Sequence, residues 1–245
     1  MMETLAEPFR LIALDQTDST NDELRRQAGK GAGHGTVVWA GRQTAGRGRR
    51  GRQWVSVEGN LHCSFLLDPG PSLADAPQLS FVAAVAVREA LAGLVPSASF
   101  QAKWPNDVLC QGRKMVGMLM ELAEPWIILG IGVNIAVAPE PGLYPTACLR
   151  QLGSGAAPFD VLAALAEHLG TWYGRWRQEG FVPVREAWLA GAAGVGGPVT
   201  VRLADETALE GTFTGLDAQG ALQLGLPDGT VRRILAGDVF FPGVR

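Results

Sequence analysis

"GRQTAGRGRRGRQW", residues 41–54, follows a short apolar segment and places five arginines and four glycines within fourteen positions. Glycine lets the backbone turn sharply, and a guanidinium group offers a planar pair of N–H donors that matches phosphate or carboxylate oxygens. The stretch therefore predicts an arginine loop, residues 41–54, that leaves a strand and folds around a small anion.

The same loop satisfies the G-x-G-x-x-G pattern of a dinucleotide-binding turn between Gly46 and Gly51. That motif must open a helix, whereas the following "RQWVSVEG" has no helical periodicity. A Walker loop is excluded because no lysine followed by serine or threonine closes the glycine run. A nucleic-acid-binding loop and a purely solvated loop remain as alternatives.

Composition limits the partners. The chain has 245 residues, 47% of them hydrophobic, and a net charge of −3, which is long and apolar enough to bury a core. Proteins that bind nucleic acid usually carry a basic surplus. Because this chain has a net charge of −3, we expect no specific DNA binding. An odd count of three cysteines without C-x-x-C spacing, an acidic N-terminus and apolar runs too short to span a bilayer predict a cytoplasmic protein without a membrane partner.

The order of predicted elements indicates an α+β chain. Residues 9–29 predict a strand, a turn and a helix, with Thr20 and Glu23 as a capping box and Gly29 as the stop signal. Further strands and helices follow: two strands in 54–67 with a turn at 58–60, a helix over 79–95, three strands in 100–122, a central strand at 126–138, a loop over 138–158 and a helix over 159–177.

The composition changes at "AGAAGVGGP", residues 190–198, which is typical of a linker. After it come short alternating strands separated by turns at 217–220 and 227–229, as expected for a small β-barrel. We therefore expect a domain of residues 1–192 and a second domain of residues 193–245.

Five motifs carry a resemblance: "DSTND" (18–22), the arginine loop, "KWPNDV" (103–108), "GRKMVGMLMEL" (112–122) and "GIGVNI" (130–135). In this order and spacing the chain resembles the biotin protein ligase family. The resemblance implies a mixed β-sheet backed by helices, like that of class II synthetases, followed by an SH3-like barrel. Because "DSTN" begins after seventeen residues, the chain is similar to the short monofunctional members that lack an N-terminal DNA-binding domain.

The resemblance also implies the reaction. Biotin and ATP, the latter with Mg²⁺, would give biotinyl-5′-AMP, and a lysine of the biotin carboxyl carrier protein of acetyl-CoA carboxylase would then accept the biotinyl group. No dedicated metal site is visible, and a homodimer is left open. A lipoate or octanoyl protein ligase, which shares the fold, is the nearest alternative.

Site residues are implied motif by motif. The catalytic set is Lys114, Arg49 and Asp107. The set for biotin is Ser19, Thr20, Asn21, Gln43, Arg47, Gly48, Arg49 and Lys114. The set for ATP is Arg47, Arg49, Arg52, Lys103, Asn106, Asp107, Lys114 and Asn134. Tyr144 is the candidate to cover the adenine, while Trp54 and Trp104 are interpreted as packing residues.

Overall fold

The larger part of the chain is built on a mixed seven-stranded sheet. The computed structural model describes residues 4–70, 72–140 and 144–242. The strands lie in the order β1-β2-β3-β7-β6-β5-β4, and all neighbours are antiparallel except the parallel pair β1 and β2. Their bounds are β1 Arg10–Thr17, β2 Thr36–Gln43, β3 Leu61–Leu67, β4 Phe100–Lys103, β5 Asp107–Cys110, β6 Arg113–Ala123 and β7 Trp126–Val133.

Helices cover both faces of this sheet. The described residues form four α-helices, α1 Thr20–Gly29, α2 Leu79–Leu94, α3 Pro158–Glu179 and α4 Phe181–Ala190. Neighbouring strand residues point to opposite faces: Val37 joins the large cluster with α2, α3 and α4, while Val38 joins a smaller cluster with Leu24 of α1. The central strand β7 buries side chains on both faces, which explains its unbroken apolar sequence. The predicted mixed sheet backed by helices is confirmed.

A second sheet follows α4. Its strands are β8 Pro198–Arg202, β9 Ala208–Leu216, β10 Leu222–Gly225, β11 Val231–Ile234 and β12 Asp238–Phe240. They pair antiparallel in the order β11-β10-β9-β8-β12, as expected for a small SH3-like domain. Its core is continuous with the larger part, because Phe213 and Val239 belong to the same buried cluster as α2. The boundary between residues 192 and 193 stays a prediction.

Three local predictions were wrong. Residues 54–57 form no strand, and Ser56 instead accepts a hydrogen bond on its hydroxyl from the Gln43 amide at 2.9 Å. The N-cap of α1 is Ser19 rather than Thr20. The Thr20 hydroxyl bonds to Gln43, and Glu23 accepts from Arg26 and Gln27, so no capping box forms.

Four helical segments of the described residues were not predicted. The helix α4 was missed, and so were the 3-10 helices Arg49–Gly51, Leu73–Gln78 and, within the expected loop over 138–158, Leu149–Leu152. Among the described residues, no helix is long and apolar enough to cross a membrane.

Asn60 fixes the chain where β7 ends. Its Oδ1 accepts hydrogen bonds from the amides of Ile135, Ala136 and Val137 at 2.9, 2.9 and 3.1 Å, and its Nδ2 donates to the Val137 carbonyl at 2.9 Å. The side chain is buried, so removing it leaves several amides without an acceptor.

Asn60→Ala should therefore lower the free energy of unfolding by about 2 kcal/mol or more, because unpaired buried donors keep their desolvation cost. Urea unfolding measures this. Asn60→Asp, compared at about pH 4, is the matched control, because a buried carboxyl in its protonated form keeps the acceptor Oδ1 and a donor towards the Val137 carbonyl, and it should lose clearly less. Equal losses in both variants would contradict the role of Oδ1.

Candidate active site

One cleft at the end of the sheet collects nearly all of the predicted site residues. The arginine loop, the turn before β5, the start of β6 and the end of β7 surround it, and β12 of the second sheet closes one side. The structure brings these predicted residues to the cleft: Ser19, Thr20, Asn21, Gln43, Arg47, Gly48, Arg49, Arg52, Asn106, Asp107, Lys114 and Asn134. Lys103 is the predicted site residue that does not line it.

Neutral polar side chains line one end of the cleft. Thr20 donates its amide to Gln43 Oε1 at 2.8 Å, and the Thr20 hydroxyl lies 3.1 Å from the same oxygen. Ser19, Thr20 and Asn21 are all buried. Gly130 makes room for this group, because a Cβ there would lie 2.3 Å from Asn21 Oδ1. This end can pair with a neutral ligand that both donates and accepts hydrogen bonds.

Trp54 lies on a floor made by two glycines. Gly117 of β6 and Gly132 of β7 are partners in the sheet, and a Cβ on them would lie 2.7 and 2.3 Å from the Trp54 ring. Trp54 Nε1 donates to His62 Nδ1 at 3.2 Å, and His62 Nε2 lies 3.3 Å from the Val57 carbonyl. Because the indole N–H can only donate, His62 Nδ1 accepts and the ring proton is on Nε2. Burial, which lowers the pKa of His62, favours the same neutral form. Trp54 packs, as predicted, but it also lines the cleft.

The arginines of the arginine loop donate hydrogen bonds to other side chains of the protein. Arg47 makes a bidentate pair with Asp22 and lies 3.4 Å from Glu121. Arg49 donates to Asn106 Oδ1 at 3.1 Å. Positions 49–51 form a single 3-10 turn rather than the start of a helix, so the structural context of a dinucleotide-binding motif is absent.

Asp238 of β12 anchors the far side of this loop. Arg52 binds its two carboxylate oxygens at 3.2 and 2.6 Å, and Arg50 donates to it at 3.1 Å. Burial raises the pKa of Asp238, but the hydrogen bond from Arg52 and the charges of both arginines outweigh burial, so the net pKa is lowered. The second sheet therefore contributes a carboxylate to the cleft.

Lys114 and Asp107 form the central ion pair. Lys114 Nζ lies 2.7 Å from Asp107 Oδ1, so each of the two groups neutralises the other. Asn134 Oδ1 is a buried acceptor with no partner among the described residues. Asn134 lines the cleft, so this oxygen is left for a donor of a ligand.

Lys103 lies apart from the other predicted site residues. Its side chain is 3% exposed, with Nζ 3.9 Å from Asp107 Oδ2 and 3.6 Å from the centre of the Tyr144 ring. A contact between Lys103 and a triphosphate stays a prediction. Tyr144 lines the cleft, its ring centre lies 5.3 Å from that of Phe240, and its hydroxyl donates to the Val239 carbonyl at 3.3 Å. These contacts tie Tyr144 to the second sheet, and its role as adenine cover stays a prediction.

Several cleft residues escaped the sequence analysis. They include Cys63, Gly117, Gly130, Gly132, Thr146 and Asp238. The glycines at alternate positions of β7 are a usable signal, because glycine inside a strand marks a close approach of another group. Asp238 carries no such signal, since its partners are nearly two hundred residues away in the sequence.

The fold and the cleft define a protein that binds a small ligand with a neutral polar head beside one or more anionic groups. Two families match by sequence: "Biotin/lipoate A/B protein ligase family" over residues 13–134 and "Biotin protein ligase C terminal domain" over residues 195–241. A biotin–[acetyl-CoA-carboxylase] ligase of Paracoccus denitrificans is 41% identical, covering 94% of this chain and 100% of the relative. One of Mycobacterium tuberculosis is 35% identical, covering 94% and 88%.

Among solved structures, biotin protein ligase from Aquifex aeolicus in complex with biotin and ATP has a TM-score of 0.82 and 31% identity, covering 94% of this chain and 97% of that chain. The chain belongs to the biotin protein ligase family.

The buried position of Lys103 predicts a pH dependence of stability. Burial is the main cause that lowers its pKa from 10.5 to about 8; Lys114 and Arg52 lower it further, while Asp107 and Asp238 oppose them. Between these two values the unfolded chain binds more protons than the folded chain, so the contribution of this group to the free energy of unfolding increases as the pH rises.

Urea unfolding at about pH 7.5 and about pH 10 should therefore show the free energy of unfolding of the wild type rising relative to Lys103→Met, by on the order of 1–3 kcal/mol. All other titrating groups are the same in both proteins, so their contributions cancel in the difference. A constant difference between the two proteins would show that Lys103 has an ordinary pKa.

Proposed function

We propose that this chain attaches biotin to a lysine of the biotin carboxyl carrier protein of acetyl-CoA carboxylase, with ATP and through biotinyl-5′-AMP. One observation carries the proposal: a single cleft joins a buried neutral polar pocket to a set of cations around Lys114. The relatives that match this chain nearly end to end are named as biotin–[acetyl-CoA-carboxylase] ligases, which supports the same reaction.

The polar end suits the ureido ring of biotin. That ring offers two N–H donors and one carbonyl acceptor, and Ser19, Thr20, Asn21 and Gln43 provide hydroxyl and amide partners. A ligand without these groups would leave buried partners unpaired, at a cost of roughly 1–3 kcal/mol each. The valeryl chain would then pass Trp54 towards the cations.

The charged end suits adenylation. A carboxylate oxygen of biotin attacks the α-phosphorus of ATP, the bond to the bridging oxygen breaks, and pyrophosphate leaves. Two anions must approach each other, so the site has to neutralise charge and align the reactants. We assign the carboxylate to Arg47, Gly48 and Lys114, and the phosphates to Arg49, Arg52 and Asn106, with Lys114 between the two reacting groups.

Mg²⁺ enters as part of the ATP substrate. The described residues contain no group of three or more acidic, histidine or cysteine side chains that could hold a metal ion by itself. Asp107 and Asp238 nevertheless line the cleft, and one or two carboxylates beside substrate phosphates are the usual setting for Mg²⁺.

The second step needs an uncharged lysine of the carrier. Its amine attacks the carbonyl carbon of the mixed anhydride, AMP leaves with the bonding pair, and the amine loses a proton. Asp107, a carboxylate that lines the cleft and is paired with Lys114, is assigned to accept an N–H of that amine. Asn134 Oδ1, a buried acceptor without a partner among the described residues, is assigned to the nucleotide.

The alternatives fit less well. A lipoate or octanoyl ligase binds a largely apolar acyl chain, which would not meet the hydrogen-bonding groups that Ser19, Thr20 and Gln43 still offer to the cleft. A nucleic-acid-binding loop would present its arginines to solvent, whereas Arg47, Arg50 and Arg52 are bound to carboxylates. The division at residues 192 and 193, a homodimer and a cytoplasmic location remain predictions.

The proposed role of Lys114 is tested by biotin-dependent exchange of pyrophosphate into ATP. Lys114→Ala should slow exchange by at least about a hundredfold, a loss of roughly 3 kcal/mol of transition-state stabilisation, while biotin binding is largely kept. Lys30→Ala, at the exposed end of α1, is the control. Exchange at the wild-type rate in the Lys114 variant would refute the assignment.

The proposed role of Arg49 is retention of the adenylate. Arg49→Ala should release biotinyl-5′-AMP about thirtyfold faster, because one charge-assisted contact of roughly 2 kcal/mol is lost. The freed adenylate should then label bystander proteins. Arg50→Ala removes the same charge from the same loop at a residue outside the cleft lining, so it should retain the intermediate. Equal dissociation rates for Arg49→Ala and the wild type would rule out this role.

A further inference from the structure

We propose that Glu121 sets the donor and acceptor polarity of the neutral pocket through a hydrogen-bond relay of Asn21, Ser64 and Thr20. The inference rests on the proposed function, since it takes the ureido ring of biotin as the ligand. Thr20 and Asn21 line the cleft, whereas Ser64 and Glu121 lie behind them. Glu121 and Ser64 are therefore positioning residues.

The first link fixes the amide of Asn21. Glu121 Oε2 lies 2.7 Å from Asn21 Nδ2. A carboxylate can only accept a hydrogen bond, so the NH₂ group of the amide must face it. The carbonyl oxygen Oδ1 then faces Ser64 Oγ at 2.6 Å. Glu121 thus decides which end of the buried amide meets Ser64.

The second link fixes the two hydroxyl protons. Ser64 is fully buried and has one hydroxyl proton. Because Asn21 Oδ1 cannot donate, that proton belongs in the contact with Oδ1. The contact between Ser64 Oγ and Thr20 Oγ1, 2.7 Å long, then needs the proton of Thr20. The competing acceptor, Gln43 Oε1, is farther away at 3.1 Å and already holds the Thr20 amide at 2.8 Å.

Thr20 consequently meets a ligand as an acceptor. Its proton is directed towards Ser64, so its remaining lone pair is offered to the cleft. A ureido N–H satisfies that lone pair, whereas an oxygen at the same ring position would oppose it. The relay therefore selects for a ring N–H from a residue that does not touch the ligand.

The test compares two ligands by calorimetry: biotin, and its cyclic carbamate analogue in which one ring N–H is replaced by oxygen. Glu121→Gln can turn an NH₂ towards Asn21 and let the relay reverse, and Ser64→Ala interrupts it. Each variant should weaken biotin binding about tenfold without weakening binding of the carbamate, so that discrimination between the two ligands falls. The double variant should lose no more than either single one. Additive losses would overturn the relay.

Asp22→Asn is the matched control, because Glu121 also lies near Arg47. This variant removes the charge of Asp22, the other carboxylate that binds Arg47, and leaves the contact between Glu121 and Asn21 in place. Discrimination between the two ligands should therefore stay at the wild-type value. Loss of discrimination in Asp22→Asn would mean that Glu121 acts through Arg47, and the proposal would fall.

Failure of the proposed function would look different. A wild-type protein that binds neither ligand would refute biotin as the substrate, and the relay with it. A wild type that binds biotin, together with variants that discriminate as well as it does, would refute the relay alone. Ser64→Ala removes a single oxygen and keeps the test decisive if Glu121→Gln does not fold.

Discussion

The pairing of positive charges with resident carboxylates is the constraint on which the cleft depends. Arg47, Arg52 and Lys114 line one cavity, and Arg50 shares Asp238 with Arg52 beside it. Like charges about 5 Å apart repel by on the order of 3 kcal/mol at an effective dielectric constant near 20. Asp22, Asp107 and Asp238 each neutralise part of this charge. Without them the loop could not hold its arginines inward before a ligand arrives.

This pairing turns ligand binding into an exchange of anions. A carboxylate or phosphate that enters must replace a carboxylate that is already bound, so the net gain is smaller than the attraction of a free cation would suggest. The exchange favours ligands with several anionic oxygens held at once, such as a triphosphate or an acyl adenylate. It also joins the two sheets, because the carboxylate that binds Arg50 and Arg52 belongs to β12.

How much could be predicted from the sequence depends on how far apart in the chain the contacting residues lie. The alternating and continuous apolar patterns located the strands of the sheet, and the family motifs located Lys114, Asp107 and the arginine loop. Asp238 and Glu121 could not be found in this way, because each meets its partners only through the register of strands far apart in the chain. The burial of Lys103 was missed for a related reason, since the motif gives its position but not the Tyr144 ring that covers it.

The glycines of the central strands explain how one cleft can serve a neutral head and a charged tail. Gly130 admits the amide of Asn21, and Gly117 with Gly132 admits the ring of Trp54. A Cβ at any of the three would clash with one of these side chains. The indole thus lies between the polar pocket and the cations, where an apolar surface suits the methylene chain that connects a ureido ring to a carboxylate. The order of groups along the cleft therefore matches the order of groups along biotin.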